Sequence, residues 1–95
     1  MKRTALLINT ARGALIDDEA LIEGLKDGLI AGAALDVLRE EPPRAGSRLL
    51  DLNLPNLIIT PHVAWASGEA VQILADQVID NIEGFMKGRP QHLVT

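Results

Sequence analysis

Three short apolar runs limit what this chain can fold into. Residues 5–8 (ALLI), 30–37 (IAGAALDV) and 56–60 (NLIIT) are each short apolar runs consistent with a strand. Between the first two, Asp17 can cap a helix, Asp18 and Glu19 suit the positive end of its dipole, and Ala20, Leu21 and Leu25 supply an apolar face. Gly28 fits the left-handed residue that stops such a helix, with Leu29 available to pack behind it. Strand, helix and strand of these lengths imply a parallel βαβ unit with a right-handed crossover. Continuous apolarity predicts strands buried on both faces. The small residues Ala31, Gly32, Ala33 and Ala34 would let a helix approach closely.

Pro61 cuts off the third run. Residues 38–55 hold Pro42, Pro43 and Pro55 and show no period, which marks a functional or packed surface connection. Ser67 and Glu69 then open a long helix, on which Val71, Leu74, Val78, Ile82 and Phe85 fall on one stripe, read as core or interface packing. Gly88 and Pro90 close it. The fold class is therefore α/β, a partial doubly wound (Rossmann-type) parallel sheet of about three strands with flanking helices.

Composition narrows the function. Aromatic residues make up 2% of the 95 residues, so no platform for stacking bases is available, and a net charge of −4 disfavours nucleic acid or an anionic membrane as partner. With no cysteine there is neither a disulfide framework nor a thiolate metal site, and His62 and His92 lie too far apart for the close-spaced zinc motifs; no metal is expected. No apolar run approaches the roughly 18 residues that span a bilayer, and Met1-Lys2-Arg3-Thr4 leads at once into a strand-like run. These features predict a soluble cytoplasmic protein.

Each run ends on a chemically capable group: Asn9, Thr10 and Arg12 after the first, Asp36 on the second, His62 after the third. Open parallel sheets bind ligands outside the carboxyl ends of their strands. Arg12 offers a planar fork for a carboxylate, or else is satisfied by carbonyls or by Asp17 or Asp18. Asp36 can accept hydrogen bonds from a ligand or cap the following turn. His62 can exchange a proton near neutrality or be structural. Glu40 or Glu41 could orient His62, or belong to a solvated loop. Trp65 could wall a pocket and is assigned to the core. His92 carries no functional reading.

Taken together, LLINTARGALIDDEALIEGLKDGLIAGAALDV, EEPP and LIITPHVAWAS resemble the D-isomer-specific 2-hydroxyacid dehydrogenases over nearly the whole chain. The set is specific: an Asn-Thr-Ala-Arg-Gly strand end, Asp36-Val37 followed by Glu41-Pro42, and Thr60-Pro61-His62. The EPPRAG loop and PHVAWAS look closest to the glycerate dehydrogenase (hydroxypyruvate reductase) branch.

The resemblance implies an enzyme that uses NAD or NADP to interconvert 2-keto acids and D-2-hydroxy acids. By it, Arg12 binds the substrate carboxylate and polarises the keto group, His62 protonates the carbonyl oxygen, and Glu41 orients His62. Asp36 contacts the nicotinamide carboxamide, Thr10 and Ala11 line the cofactor through their backbone, and Arg12 and His62 border it. Residues 1–66 correspond to the C-terminal half of an NAD(P)-binding domain, and 67–95 to a helix that returns toward a substrate domain. The Gly-rich dinucleotide fingerprint does not occur, so the chain is expected to be a C-terminal piece of a longer dehydrogenase, with little turnover alone. A homo-oligomer is expected. The competing reading is a non-catalytic cofactor-sensing or assembly piece of the same superfamily.

Overall fold

A computed structural model of the chain describes residues 1–94. These form two compact units, residues 1–63 and the segment from Ala64 onward.

The first unit holds three parallel strands, β1 (Leu6–Asn9), β2 (Gly32–Leu35) and β3 (Leu57–Ile59), in the spatial order β1-β2-β3. Leu7 pairs with Ala33, which pairs with Leu57, and Asn9 pairs with Leu35, which pairs with Ile59. Residues in register point to the same face. One face of the sheet therefore carries Leu7, Ala33, Leu35, Leu57 and Ile59, all packed in one apolar cluster.

Helix α1 (Asp18–Lys26) connects β1 and β2 and supplies Leu21, Ile22 and Leu25 to that cluster, each at most 5% exposed. Burying side chains of this kind stabilises the unit by roughly 1.5–3 kcal/mol each. Ala20 is exposed and Ile22 takes the place expected for it, because the helix meets the sheet about one residue further round than the sequence pattern indicates. The helix begins where expected, with the Asp17 carboxylate accepting the Ala20 N–H at 2.9 Å. It ends at Gly28, φ 64°, with the Leu29 N–H reaching back to the Gly24 carbonyl at 2.8 Å. The connection from β2 to β3 hides a short helix, α2 (Arg48–Asp51), missed in the sequence reading; its Leu49 is 2% exposed and seals the cluster.

The opposite sheet face departs from expectation. Leu6, Ile8 and Ile58 are 70%, 68% and 65% exposed, so the strands are covered on one face only. Both helices of this unit pack on the same side, and an apolar run does not say how many layers will cover it. Gly32 answers to the residue just before β3 rather than to a helix: a Cβ there would lie 3.0 Å from the Asn56 carbonyl oxygen, which accepts the Ala33 N–H at 2.9 Å.

The second unit is built on α3 (Gly68–Met86). The Ser67 hydroxyl accepts the Ala70 N–H at 3.1 Å. Gly88, φ 71°, closes the helix, with the Gly88 N–H on the Phe85 carbonyl and the Arg89 N–H on the Gly84 carbonyl. The stripe Val71, Leu74, Val78, Ile82 and Phe85 is 44–75% exposed and is not core. Ile73, Ile79 and Met86 are exposed as well, so apolar residues extend beyond one stripe and no single contact face could bury them all. Trp65 is likewise 59% exposed, because it precedes α3 outside the apolar cluster. Among the described residues no helix is long and apolar enough to cross a membrane.

Candidate active site

The strand ends of the first unit converge as their chemistry suggested. Asn9, at the end of β1, is 7% exposed, and its side chain folds over the turn that follows. Its amide nitrogen donates to the Arg12 carbonyl at 2.9 Å, and its amide oxygen accepts the Ala11 N–H at 3.1 Å. Asn9 therefore shapes the loop that carries Arg12. Gly13 fixes the other side of this loop: a Cβ on it would fall 2.1 Å from the carbonyl carbon of Leu38 and 2.4 Å from the Arg39 nitrogen. Only glycine lets the 12–13 and 38–39 backbones touch. Thr10, Ala11 and Arg12 are all exposed at this edge. One Arg12 Nη1 N–H donates to the Ala11 carbonyl at 2.7 Å, and among the described residues Arg12 joins no ion pair; Asp17 is spent on its helix cap.

His62 stands just past β3 with φ 57°, in the left-handed region that non-glycine residues rarely occupy. Its backbone N–H donates to the Thr60 carbonyl at 3.0 Å, closing a tight turn over Pro61. The ring Nδ1 lies 2.5 Å from Glu41 Oε2. The other Glu41 oxygen accepts the Leu38 N–H at 2.7 Å. The Leu38 N–H first, and then the His62 ring, hold the Glu41 carboxyl below the usual carboxylate range, with a smaller pull from Arg12. An ionised Glu41 can only accept, so Nδ1 carries the proton and Nε2 is the ring nitrogen turned away from this pair. Of the acidic pair in the loop, the structure thus brings Glu41, and not Glu40, to the histidine.

Asp36, 5% exposed, follows β2. Its Oδ1 accepts the Thr60 hydroxyl at 2.5 Å and the Val63 N–H at 3.0 Å. It ties down the turn after β3. Sequence reasoning missed Thr60 and the Leu38 N–H; the position of Thr60, between the strand and Pro61, was the available signal for the first.

The His62–Glu41 pair separates two recesses. One, of about 220 Å3, is walled by Leu38, Pro42, Pro43 and Pro61 with Asp36 and Thr60. The other, of about 340 Å3, is lined by Arg12, Gly13, Ala14 and Arg39 beside Leu38. His62 and Glu41 border both. One side thus offers apolar walls with a buried carboxylate, the other an exposed guanidinium, and the oriented imidazole borders both. That arrangement can hold an anion and pass a proton next to it.

The profile of the family described as "D-isomer specific 2-hydroxyacid dehydrogenase, NAD binding domain" matches residues 1–64. The glycerate dehydrogenase of Methylorubrum extorquens is 63% identical over 94 residues, which are 99% of this chain and 30% of that protein. A glyoxylate reductase of Korarchaeum cryptofilum is 45% identical over 95 residues, 28% of its length. Among solved structures, the D-isomer specific 2-hydroxyacid dehydrogenase from Lactobacillus delbrueckii ssp. bulgaricus in its NAD complexed form superposes with TM-score 0.70 at 36% identity, over 100% of this chain and 32% of that one. An acyclic imino acid reductase in complex with NADPH and D-Arg gives TM-score 0.75 at 38% identity, over 100% of this chain and 29% of that one. The chain spans under a third of the length of these relatives.

Proposed function

The chain belongs to the D-isomer specific 2-hydroxyacid dehydrogenase family, and from that premise we propose that it is the C-terminal catalytic part of an NAD(P)-dependent oxidoreductase interconverting 2-keto acids of the hydroxypyruvate and glyoxylate type with D-2-hydroxy acids. Residues 1–66 would be the second half of the cofactor domain, and 67–95 the helix leading back toward a substrate domain. The observation that carries the reading is the His62–Glu41 pair, at 2.5 Å, bordering the same recess as Arg12.

The residues present suit a nicotinamide. The apolar walls of Leu38, Pro42, Pro43 and Pro61 suit the face of an uncharged heterocycle, and the Asp36 carboxylate suits the N–H donors of a carboxamide. Asp36 and the backbone of Thr10 and Ala11 would hold the cofactor, with Arg12 and His62 at its edge. When bound, a nicotinamide cofactor supplies the hydride that reduces the keto carbon. The chain's own residues do the rest. Arg12 binds the substrate carboxylate with its planar fork and draws electron density from the adjacent carbonyl. His62 gives the Nε2 proton to the carbonyl oxygen as it gains charge, and takes it back in the reverse direction. Glu41 keeps the ring in the orientation that points Nε2 at the substrate.

The test replaces the matching segment of the Methylorubrum extorquens glycerate dehydrogenase with this chain and follows NADH or NADPH oxidation by hydroxypyruvate and glyoxylate. The chimera should turn over, the isolated chain scarcely at all. His62→Gln should lower kcat about 100-fold or more, since proton transfer by a positioned group contributes that much. Arg12→Ala should raise the keto-acid KM as well. Near-native kinetics for both variants would overturn the assignment.

The exposed apolar side chains Leu6, Ile8 and Ile58 on the sheet and Leu74, Ile82 and Phe85 on α3 favour one further reading, a piece that self-associates without turnover. Light scattering on the isolated chain separates the two: a stable, cofactor-independent oligomer, with an inactive chimera, supports assembly alone.

A further inference from the structure

We propose that Thr60 and Asp36 form a clamp that positions His62, a role that rests on His62 being the proton donor. The turn from Thr60 to Val63 is held at both ends by a single atom. Asp36 Oδ1 accepts the Thr60 hydroxyl at 2.5 Å and the Val63 N–H at 3.0 Å, so one oxygen brackets the Pro61-His62 step. Inside the bracket, the His62 N–H donates to the Thr60 carbonyl at 3.0 Å. These three bonds fix four consecutive residues around a histidine whose φ is 57°.

That conformation needs to be held. A non-glycine residue in the left-handed region is disfavoured and persists where its surroundings over-determine it. The anchor is rigid: Asp36 is 5% exposed, and its own N–H donates to the Asn9 carbonyl at 2.9 Å, in line with the sheet. The clamp therefore transmits the position of the central strand to the imidazole. Releasing it lets the His62 backbone relax away from φ 57°, and the short Nδ1 contact to Glu41 cannot survive such a rotation unchanged. Thr60 itself touches neither Glu41 nor the His62 ring among the hydrogen bonds of the site; it acts through Asp36 and the turn. It is a positioning residue.

Thr60 is exposed, so Thr60→Val removes the hydroxyl at a tolerant place and keeps the β-branched shape. Thr60→Ser keeps the hydroxyl. In the 95-residue chain, the Nδ1 proton of His62, bonded to a carboxylate, should give a low-field NMR resonance. Thr60→Val should broaden or lose it, and Thr60→Ser should retain it. In the chimeric dehydrogenase, Thr60→Val should lower kcat roughly tenfold with the keto-acid KM little changed, because misplacing a catalytic group costs rate rather than binding. Thr60→Ser should recover the loss. An unchanged Nδ1 resonance in Thr60→Val would overturn the clamp. Loss of the resonance with unchanged kcat would leave the clamp standing and overturn the proton-donor reading of His62. Should Thr60→Val fail to give a folded spectrum, Thr60→Ala carries the same comparison.

Discussion

His62 Nδ1 and Glu41 Oε2 stand 2.5 Å apart, although 21 residues separate them in the chain. The carboxylate reaches the ring because its other oxygen is pinned by the Leu38 N–H at 2.7 Å, at the start of its own loop. Each part of the contact has a sequence-local cause: a loop that folds back on the residues after β2, and a left-handed turn after β3. Their meeting is a property of the sheet, which sets β2 and β3 side by side.

Glu41→Gln should lower kcat in the chimeric enzyme roughly 100-fold or more, since an amide in that place does not hold the ring in the same tautomer and orientation as a carboxylate. The glutamine oxygen can still accept the Leu38 N–H, so the loop should stay folded. Steady-state kinetics and circular dichroism on the same sample check both halves of this outcome.

Acid should weaken the folded chain through the same residue. The Leu38 N–H and His62 lower the Glu41 pKa in the folded state, so the unfolded state binds its proton more readily. Glu41 then contributes stability above its unfolded pKa, about 4.3, and loses that contribution as pH falls through the lower folded value. The urea midpoint of the wild type should therefore exceed that of Glu41→Gln at pH 6, and the gap should close as pH falls below about 4.3. A gap that stays constant with pH would remove the charge from the account.

Gly13→Ala should destabilise the first unit by about 1–3 kcal/mol, the usual cost of forcing extra atoms into packed backbone. The atoms a Cβ would meet, Leu38 C at 2.1 Å and Leu38 O at 2.3 Å, are main chain and cannot swing aside. Because Leu38 also holds Glu41, activity in the chimera should fall further than stability alone accounts for. Urea denaturation and kcat on one variant separate the two effects.

Asn9→Ala should cost about 1–3 kcal/mol, the penalty of leaving polar groups in the turn unpaired. The Ala11 N–H and the Arg12 carbonyl lose their shared partner, so the loop that presents Arg12 loosens. In the chimera the keto-acid KM should rise more than kcat falls. An unchanged KM would separate Asn9 from substrate binding.

Much of the first unit was legible because its causes are local. Asp17 and Gly28 bound α1 through contacts within four or five residues, and Ser67 and Gly88 do the same for α3. Arg12, Asp36 and His62 were visible as polar groups at the ends of apolar runs, and the parallel sheet brings all three to one edge. The choice of Glu41 over Glu40 rested on the family resemblance, since nothing local distinguishes two adjacent acids. The short helix α2 and the role of Leu49 were hidden in a proline-bearing stretch with no period long enough to read.

The sequence by itself determined the three strands, α1 and α3, the caps of those helices and the groups at the strand ends, because those depend on neighbours a few residues away. It did not determine which apolar residues would be covered. Leu6, Ile8, Ile58 and Trp65 read as core and are exposed, because burial depends on how many layers pack on a face. Nor did it show Asp36 Oδ1 gripping Thr60 and Val63, or Gly13 pressed on Leu38. Those contacts join residues 24 to 27 positions apart and are decided only when the strands take their places in the sheet.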